Sequence, residues 1–229
     1  MTKPYLIIFD CDGTLVDSQH LIVAAMERAF GTVGLAPPPR EAVLGIVGLS
    51  LPEAISRLAR NASEETVARI RKSYAGAFGE LRQNPDNQEP MYEGAHEAVI
   101  ELAGREGVVL GIATGKSRKG VDRLLERFQL GDCFTTIQTA DDAPSKPHSG
   151  MIDRAIQETG IEAAATVMIG DTSFDMEMAR NAGVRALGVS WGYHPVEMLR
   201  SEGAHDVADD YPHLLCMLNG VLAEHPAAQ

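Results

Sequence analysis

The chain opens on an unbroken apolar run, Tyr5 to Phe9, whose length predicts a short buried strand. It ends in Asp-Cys-Asp. Alternate side chains of an extended segment face the same way, so Asp10 and Asp12 are expected on one side and Cys11 on the other. From Ser18 the pattern changes: SQHLIVAAMERAF is apolar on one helical face, with Ser18 placed to cap it, and VGLAPPPR breaks it. Further helix follows. In SEETVARIRKSYAGAF the residues Val67, Ile70, Tyr74 and Phe78 recur at helical spacing behind Ser63 as a cap, and RQNPDNQEP reads as a connection.

From about residue 92 helical patterns alternate with short apolar strands. GAHEAVIELAGREG precedes VVLGIAT; RKGVDRLLERF, with Val121, Leu124, Leu125 and Phe128 on one face, precedes CFTTIQT. SGMIDRAIQETG then leads to ATVMIG, and FDMEMARNAG to VRALGVS. This alternation predicts an α/β fold, a Rossmann-like doubly wound parallel sheet interrupted after its first strand by helices alone. The expected division is a core of residues 1–16 and 86–229 carrying an inserted all-helical cap, residues 17–85. No internal repeat or low-complexity tract is visible, and EHPAAQ reads as a frayed end.

Charge narrows the partners. A formal net charge of -12 argues against nucleic acid or an anionic membrane, whose contacts are dominated by Lys and Arg. An anionic substrate then needs a local positive site, and of only five lysines, Lys116, Lys119 and Lys146 fall in chemically suggestive stretches. Cys11, Cys133 and Cys216 offer neither a disulfide framework nor zinc spacing. With no signal-peptide core and no run of membrane-spanning length, the expectation is a soluble cytoplasmic protein in a reducing compartment.

Ligands of an open parallel sheet bind outside the carboxyl ends of its strands. Four predicted strand ends carry reactive groups: Asp10 and Asp12 after the first, Thr114 and Gly115 after VVLGIA, Lys146 in DDAPSKPHS, and Asp171 and Asp175 after TVMIG. Two carboxylates one residue apart repel unless a cation, a proton or strong donors intervene, which points to a metal or acid/base site.

Together DCDGTLVDS, the strand ending at Thr114, Lys146-Pro147 and GDTSFD resemble the four ordered motifs of the haloacid dehalogenase superfamily, over nearly the whole chain. The helical insertion resembles that superfamily's small α-helical cap, and FDCDGTLVDS with VSWGYHP is similar to its phosphoglycolate-phosphatase-like branch. The resemblance implies a phosphatase acting on a small phosphorylated metabolite with Mg2+ as cofactor. Asp10 would be the nucleophile, forming an aspartyl-phosphate, and Asp12 the acid and then base. Asp10, the Asp12 backbone carbonyl and Asp171 would hold the metal. Thr114, the Gly115 amide and Lys146 would bind the phosphoryl oxygens, with Asp175 positioning Lys146 or a metal-bound water. Specificity is expected from the cap near Leu44 to Ser50.

Blander roles go to other residues. Cys11 is expected in the core, Asp17 and Ser18 as helix caps, Asp141 and Asp142 in a turn, and His148 on the surface. Lys116, Arg118 and Lys119 are expected as solvated charges at a helix start, and Trp191 and Tyr193 as packing of their loop. Alternative activities within the superfamily are a phosphomutase or an inorganic pyrophosphatase. Dehalogenation is disfavoured by Asp12. A phospho-acceptor signalling module shares the residue types, but its acidic pair would be adjacent and it would lack the helical insertion. Gly115, where many phosphoglycolate-type relatives have Asn, and His148 after the Lys-Pro pair are departures that bear on the substrate rather than the chemistry.

Overall fold

The computed structural model describes residues 4–84 and 87–223. The middle of the RQNPDNQEP connection and the EHPAAQ tail lie outside those residues. Six strands form one sheet: β1 (Tyr5–Phe9), β2 (Val108–Thr114), β3 (Phe134–Thr139), β4 (Thr166–Gly170), β5 (Arg185–Val189) and β6 (Asp206–Ala208). Every neighbouring pair is parallel, in the order β3-β2-β1-β4-β5-β6. The predicted doubly wound α/β architecture is the one observed.

β1 lies centrally, with Leu6 registered against Val109 of β2 on one side and Thr166 of β4 on the other. A strand enclosed on both faces has no polar side, which is why all five of its residues are apolar and buried. Strand order reverses beside β1, and a crevice opens there at the carboxyl ends of β1 and β4. The site is built at this position.

The core helices are α5 (Ala95–Ala103), α6 (Arg118–Phe128), α7 (Gly150–Thr159), α8 (Ser173–Ala182), α9 (Val196–Ser201) and α10 (Tyr211–Ala223). The last two, and β6, were not predicted from the apolar pattern. β6 is three residues long and α9 six, too short for either periodicity to emerge.

Between β1 and α5 the described chain is helical: α1 (Gln19–Gly31), α2 (Arg40–Leu44), α3 (Leu51–Leu58) and α4 (Glu64–Leu81). These helices bury their own apolar cluster, including Ile22, Met26, Phe30, Val47, Ile55 and Ile70, separate from the cluster around the sheet. The chain leaves and rejoins the sheet layer through two segments running side by side. Val16 bridges Met91, Asp17 N donates to Pro90 O at 2.8 Å, and Tyr92 N donates to Leu15 O at 3.1 Å.

Helix starts followed expectation in part. Ser63 Oγ accepts from Thr66 N at the start of α4. Ser18 precedes α1 without capping it; the hydroxyl goes elsewhere, and Asp17 Oδ1 accepts from Gln19 N instead.

Candidate active site

Asp10 and Asp12 face a cavity of about 1440 Å³ between the sheet's carboxyl edge and helices α1, α3 and α4, and Thr114 and Gly115 line it with them. Lys146, Asp171 and Asp175 are fully buried at the same strand ends. Lys146 Nζ lies 2.9 Å from Asp10 Oδ1 and 2.6 Å from Asp175 Oδ1, with no side-chain exposure. One ammonium thus joins the loops after β1 and β3 to the start of α8, which follows β4.

The start of α8 explains how Asp175 is aimed. Thr172 Oγ1 accepts from Asp175 N, while Asp175 Oδ2 accepts from Thr172 N at 3.0 Å and from Thr172 Oγ1 at 2.7 Å, a reciprocal capping box. With Oδ2 committed to the helix end, Oδ1 is presented to Lys146. Asp171 is fixed from two other directions: Thr14 Oγ1 donates to its Oδ1 and Tyr193 N to its Oδ2, each at 2.9 Å. Backbone closes in on it as well. A Cβ on Gly13, whose φ is +91°, or on Gly192 would lie 2.1 Å from an Asp171 side-chain atom, so neither position admits a larger residue while Asp171 stays in place.

Burial and mutual repulsion set the electrostatics. Desolvation pushes the Asp10 carboxyl up to about 6 despite the opposing pull of Lys146. Asp171 is raised well above the usual carboxylate range by burial and by the nearby Asp175 and Asp10. Burial would lower Lys146, but Asp10 and Asp175 outweigh it and hold the ammonium charged.

Asp10, Asp171 and Asp175 each offer an oxygen, all within 4.8 Å of one another. Neither Asp10 oxygen accepts a hydrogen bond of good geometry, although both are buried. Three buried carboxylates against the single Lys146 ammonium put an excess of potential negative charge at one point. An oxygen-only donor set with that charge, in which Asp10 accepts no well-aligned hydrogen bond, suits a hard divalent cation. The Asp12 carboxylate is outside this cluster.

Asp12 has its own surroundings. Its Oδ1 accepts from Ser18 Oγ at 2.5 Å and lies 2.9 Å from Lys116 Nζ. Lys116 Nζ also reaches Glu89 Oε1 at 3.0 Å and lies 5.5 Å from the Phe78 ring centre. The expectation of a solvated Lys116 is therefore corrected: its side chain is only 10% exposed, drawn inward by two carboxylates. Arg118 and Lys119 do lie exposed, and Asp141 Oδ2 accepts from Arg118 N at the start of α6. Cys11 is buried in the main core, and His148 is exposed.

The loop after β5 does more than pack against itself. Trp191 Nε1 of that loop and Tyr211 Oη at the start of α10 both donate to Thr14 O, at 3.1 and 2.8 Å, and the Tyr193 hydroxyl accepts from Ser18 N at 3.0 Å. The segment after β1 is thereby pinned by residues nearly 200 positions away, which periodicity cannot reveal. Ser18, Glu89, Gly192 and Tyr211 were likewise absent from the expected site. For Lys116 the available local signal was its place two residues after Thr114 at the end of β2.

A family profile described as haloacid dehalogenase-like hydrolase matches residues 7–189. The chain belongs to this family. It is 34% identical over 224 residues to "Probable phosphatase IndB" of Dickeya dadantii, covering 96% of this chain and 95% of that protein. It is 31% identical over 186 residues to pyrophosphatase PpaX of Bacillus cereus, covering 81% and 82% of the two chains. Among solved structures, a hydrolase from Pseudomonas syringae superposes with a TM-score of 0.83 at 27% identity, covering 96% of this chain and 99% of that one. In this haloacid dehalogenase-like hydrolase the strand-end aspartates, Thr114 and Lys146 thus share one site. Among the described residues no helix is long and apolar enough to cross a membrane.

Proposed function

We propose that this hydrolase is a Mg2+-dependent phosphatase that cleaves small phosphate monoesters through an aspartyl-phosphate on Asp10. The observation that carries the reading is the buried Asp10–Lys146–Asp175 arrangement beside Asp171: a carboxylate at a cavity wall that accepts no well-aligned hydrogen bond, backed by a fixed ammonium. Relatives named as phosphatases support it.

In the proposed reaction an Asp10 oxygen attacks phosphorus as the bond to the ester oxygen breaks, and Asp12 passes a proton to that oxygen. Water then attacks the aspartyl-phosphate, Asp12 takes a proton from it, and the bond between phosphorus and Asp10 breaks. Thr114, the Gly115 amide and Lys146 hold the phosphoryl oxygens, where charge is spread in the transition state. Asp10, Asp171 and the Asp12 backbone carbonyl would hold Mg2+, which when bound neutralises phosphoryl charge. Asp175 keeps Lys146 in position.

Residues 17–85 act in this reading as a cap over the core of residues 1–16 and 86–229, excluding bulk water from the reaction. The described contacts that favour this role are close. Ser50 N donates to Ser145 Oγ at 2.8 Å, and the Gly48 and Leu49 carbonyls rest against Gly115. The test is phosphate release from a panel of phosphorylated metabolites, beginning with phosphoglycolate, with and without chelator. Activity abolished by chelation and restored by Mg2+ is expected; full turnover without a divalent cation would refute the metal assignment. The similarity to PpaX favours pyrophosphate as a second substrate, and it belongs in the same panel.

A further inference from the structure

Lys116 is a buried cation that the proposed chemistry does not use. Its ammonium meets three separate parts of the molecule: Asp12 on the segment after β1, Glu89 beside the paired connections, and the Phe78 ring on α4. Glu89 is itself buried and held in place. Arg127 Nη1 donates to its backbone carbonyl at 3.3 Å, and Arg82 Nη1 lies 3.8 Å from its Oε2. Lys116 N also donates to Thr114 Oγ1 at 3.2 Å, which fixes the start of its side chain. The ammonium is thus placed from several directions.

A side chain that must first donate and then accept a proton needs one orientation, within hydrogen-bond reach of the leaving oxygen. Ser18 alone would hold Asp12 by a single rotatable hydroxyl. A charged donor at 2.9 Å, itself anchored by a buried carboxylate, removes that freedom. The Ser18 hydrogen bond and the Lys116 ion pair both fall on Oδ1, which leaves Oδ2 for the transferred proton. We propose that Lys116, anchored by Glu89, is a positioning residue for Asp12 and acts on proton transfer to the leaving group rather than on phosphate binding. The inference rests on the phosphatase reading above and assigns a role within that site.

Leaving-group chemistry separates this role from a merely structural one. Expelling an alkoxide requires a proton, whereas p-nitrophenolate departs without one. kcat/KM reports the first step, formation of the aspartyl-phosphate. The experiment compares Lys116→Met, Lys116→Arg, Glu89→Gln and Asp12→Asn on an alkyl phosphate and on p-nitrophenyl phosphate, each variant checked by thermal unfolding. Lys116→Met should lose about 10- to 100-fold in kcat/KM on the alkyl ester, the usual cost of removing an orienting partner, with the aryl ester changed by less than about 3-fold. A burst of nitrophenolate should appear, because breakdown of the intermediate still needs Asp12 as base. Glu89→Gln should show the same selectivity at smaller size, and Lys116→Arg should restore part of the alkyl rate.

Equal losses on both esters in Lys116→Met, or a change in KM alone, would overturn the proposal. If Lys116→Met does not fold, Glu89→Gln decides by the same criterion. Asp12→Asn separates the two levels: selective loss there without selectivity in the Lys116 and Glu89 variants removes only the positioning role. Absence of selectivity in Asp12→Asn itself removes the acid/base assignment and the inference together.

Discussion

Replacing Gly115 by alanine tests whether the helical segment must rest on the sheet edge for turnover. A Cβ built there would lie 2.5 Å from Leu49 O and 2.6 Å from Gly48 O, both backbone atoms. Contacts under 3.0 Å are not sustained, so the loop must withdraw by about 0.5 Å or more. Gly115 does not use a left-handed φ, so alanine keeps the local backbone and the amide proposed to bind phosphate. The clash is therefore the whole perturbation. Overpacking of this kind costs about 1–3 kcal/mol. It can be relieved by lifting the loop, which stretches the 2.8 Å bond from Ser50 N to Ser145 Oγ. If that apposition is required at the transition state, kcat/KM falls by about 5- to 150-fold, the kinetic equivalent of the same energy. Thermal unfolding should move little where the loop lifts, because lifting removes the clash. Steady-state kinetics and calorimetry on one preparation suffice. Unchanged kcat/KM would refute the requirement, and full activity with a clearly lowered Tm would show that the strain is retained in a closed form.

The remaining predictions concern the buried charges. Asp10→Asn should abolish turnover of an aryl phosphate while the protein still folds; substantial Mg2+-dependent turnover would remove Asp10 as nucleophile. Asp10 and Asp171 have folded pKa values above their unfolded ones, so the metal-free folded state binds more protons. Its stability should therefore fall as pH rises from about 4 through 6, by on the order of 3 kcal/mol for the two-unit shift of Asp10. Mg2+ should raise Tm more at pH 7.5 than at pH 5; an equal rise at both, or a metal-free Tm that increases with pH, contradicts the assignment. Tyr211→Phe, which deletes the bond to Thr14 O, should cost about 1 kcal/mol in denaturant unfolding. It should also reduce kcat, and a stability loss with kcat intact would mean that the pin is not needed for catalysis.

The sheet was legible because central parallel strands write themselves as continuous apolar runs between helical repeats, as in YLIIF and TVMIG. The strand-end residues were legible for a related reason. In a doubly wound sheet each strand's carboxyl end faces one crevice, so Asp10, Thr114, Lys146 and Asp171 could be expected near one another without any contact being known. What could not be read was orientation. Ser18 has the residue type and position of a cap, yet its hydroxyl goes to Asp12, a preference visible only once Asp12 is placed. Lys116 reads as solvated because its neighbours Arg118 and Lys119 are, and Glu89 sits in a stretch without periodicity. Their pairing spans 27 positions and follows from the fold that brings them together.

The two aspartates one residue apart are separated chemically by the cations they meet. Lys146 stands between Asp10 and Asp175, and Lys116 between Asp12 and Glu89, so each aspartate shares its ammonium with a second carboxylate. The difference lies in what each carboxylate has left over. Asp10 is fully buried, close to Asp171 and Asp175, and its oxygens accept no well-aligned hydrogen bond; such an oxygen is suited to a cation or to phosphorus. Asp12 is outside that cluster: its Oδ1 accepts from Ser18 Oγ and is paired with Lys116 at 2.9 Å, which suits a carboxylate that exchanges protons at Oδ2. The proposed division between nucleophile and acid/base rests on the loops after β2 and β3, which carry Lys116 and Lys146, as much as on the Asp-Cys-Asp stretch itself.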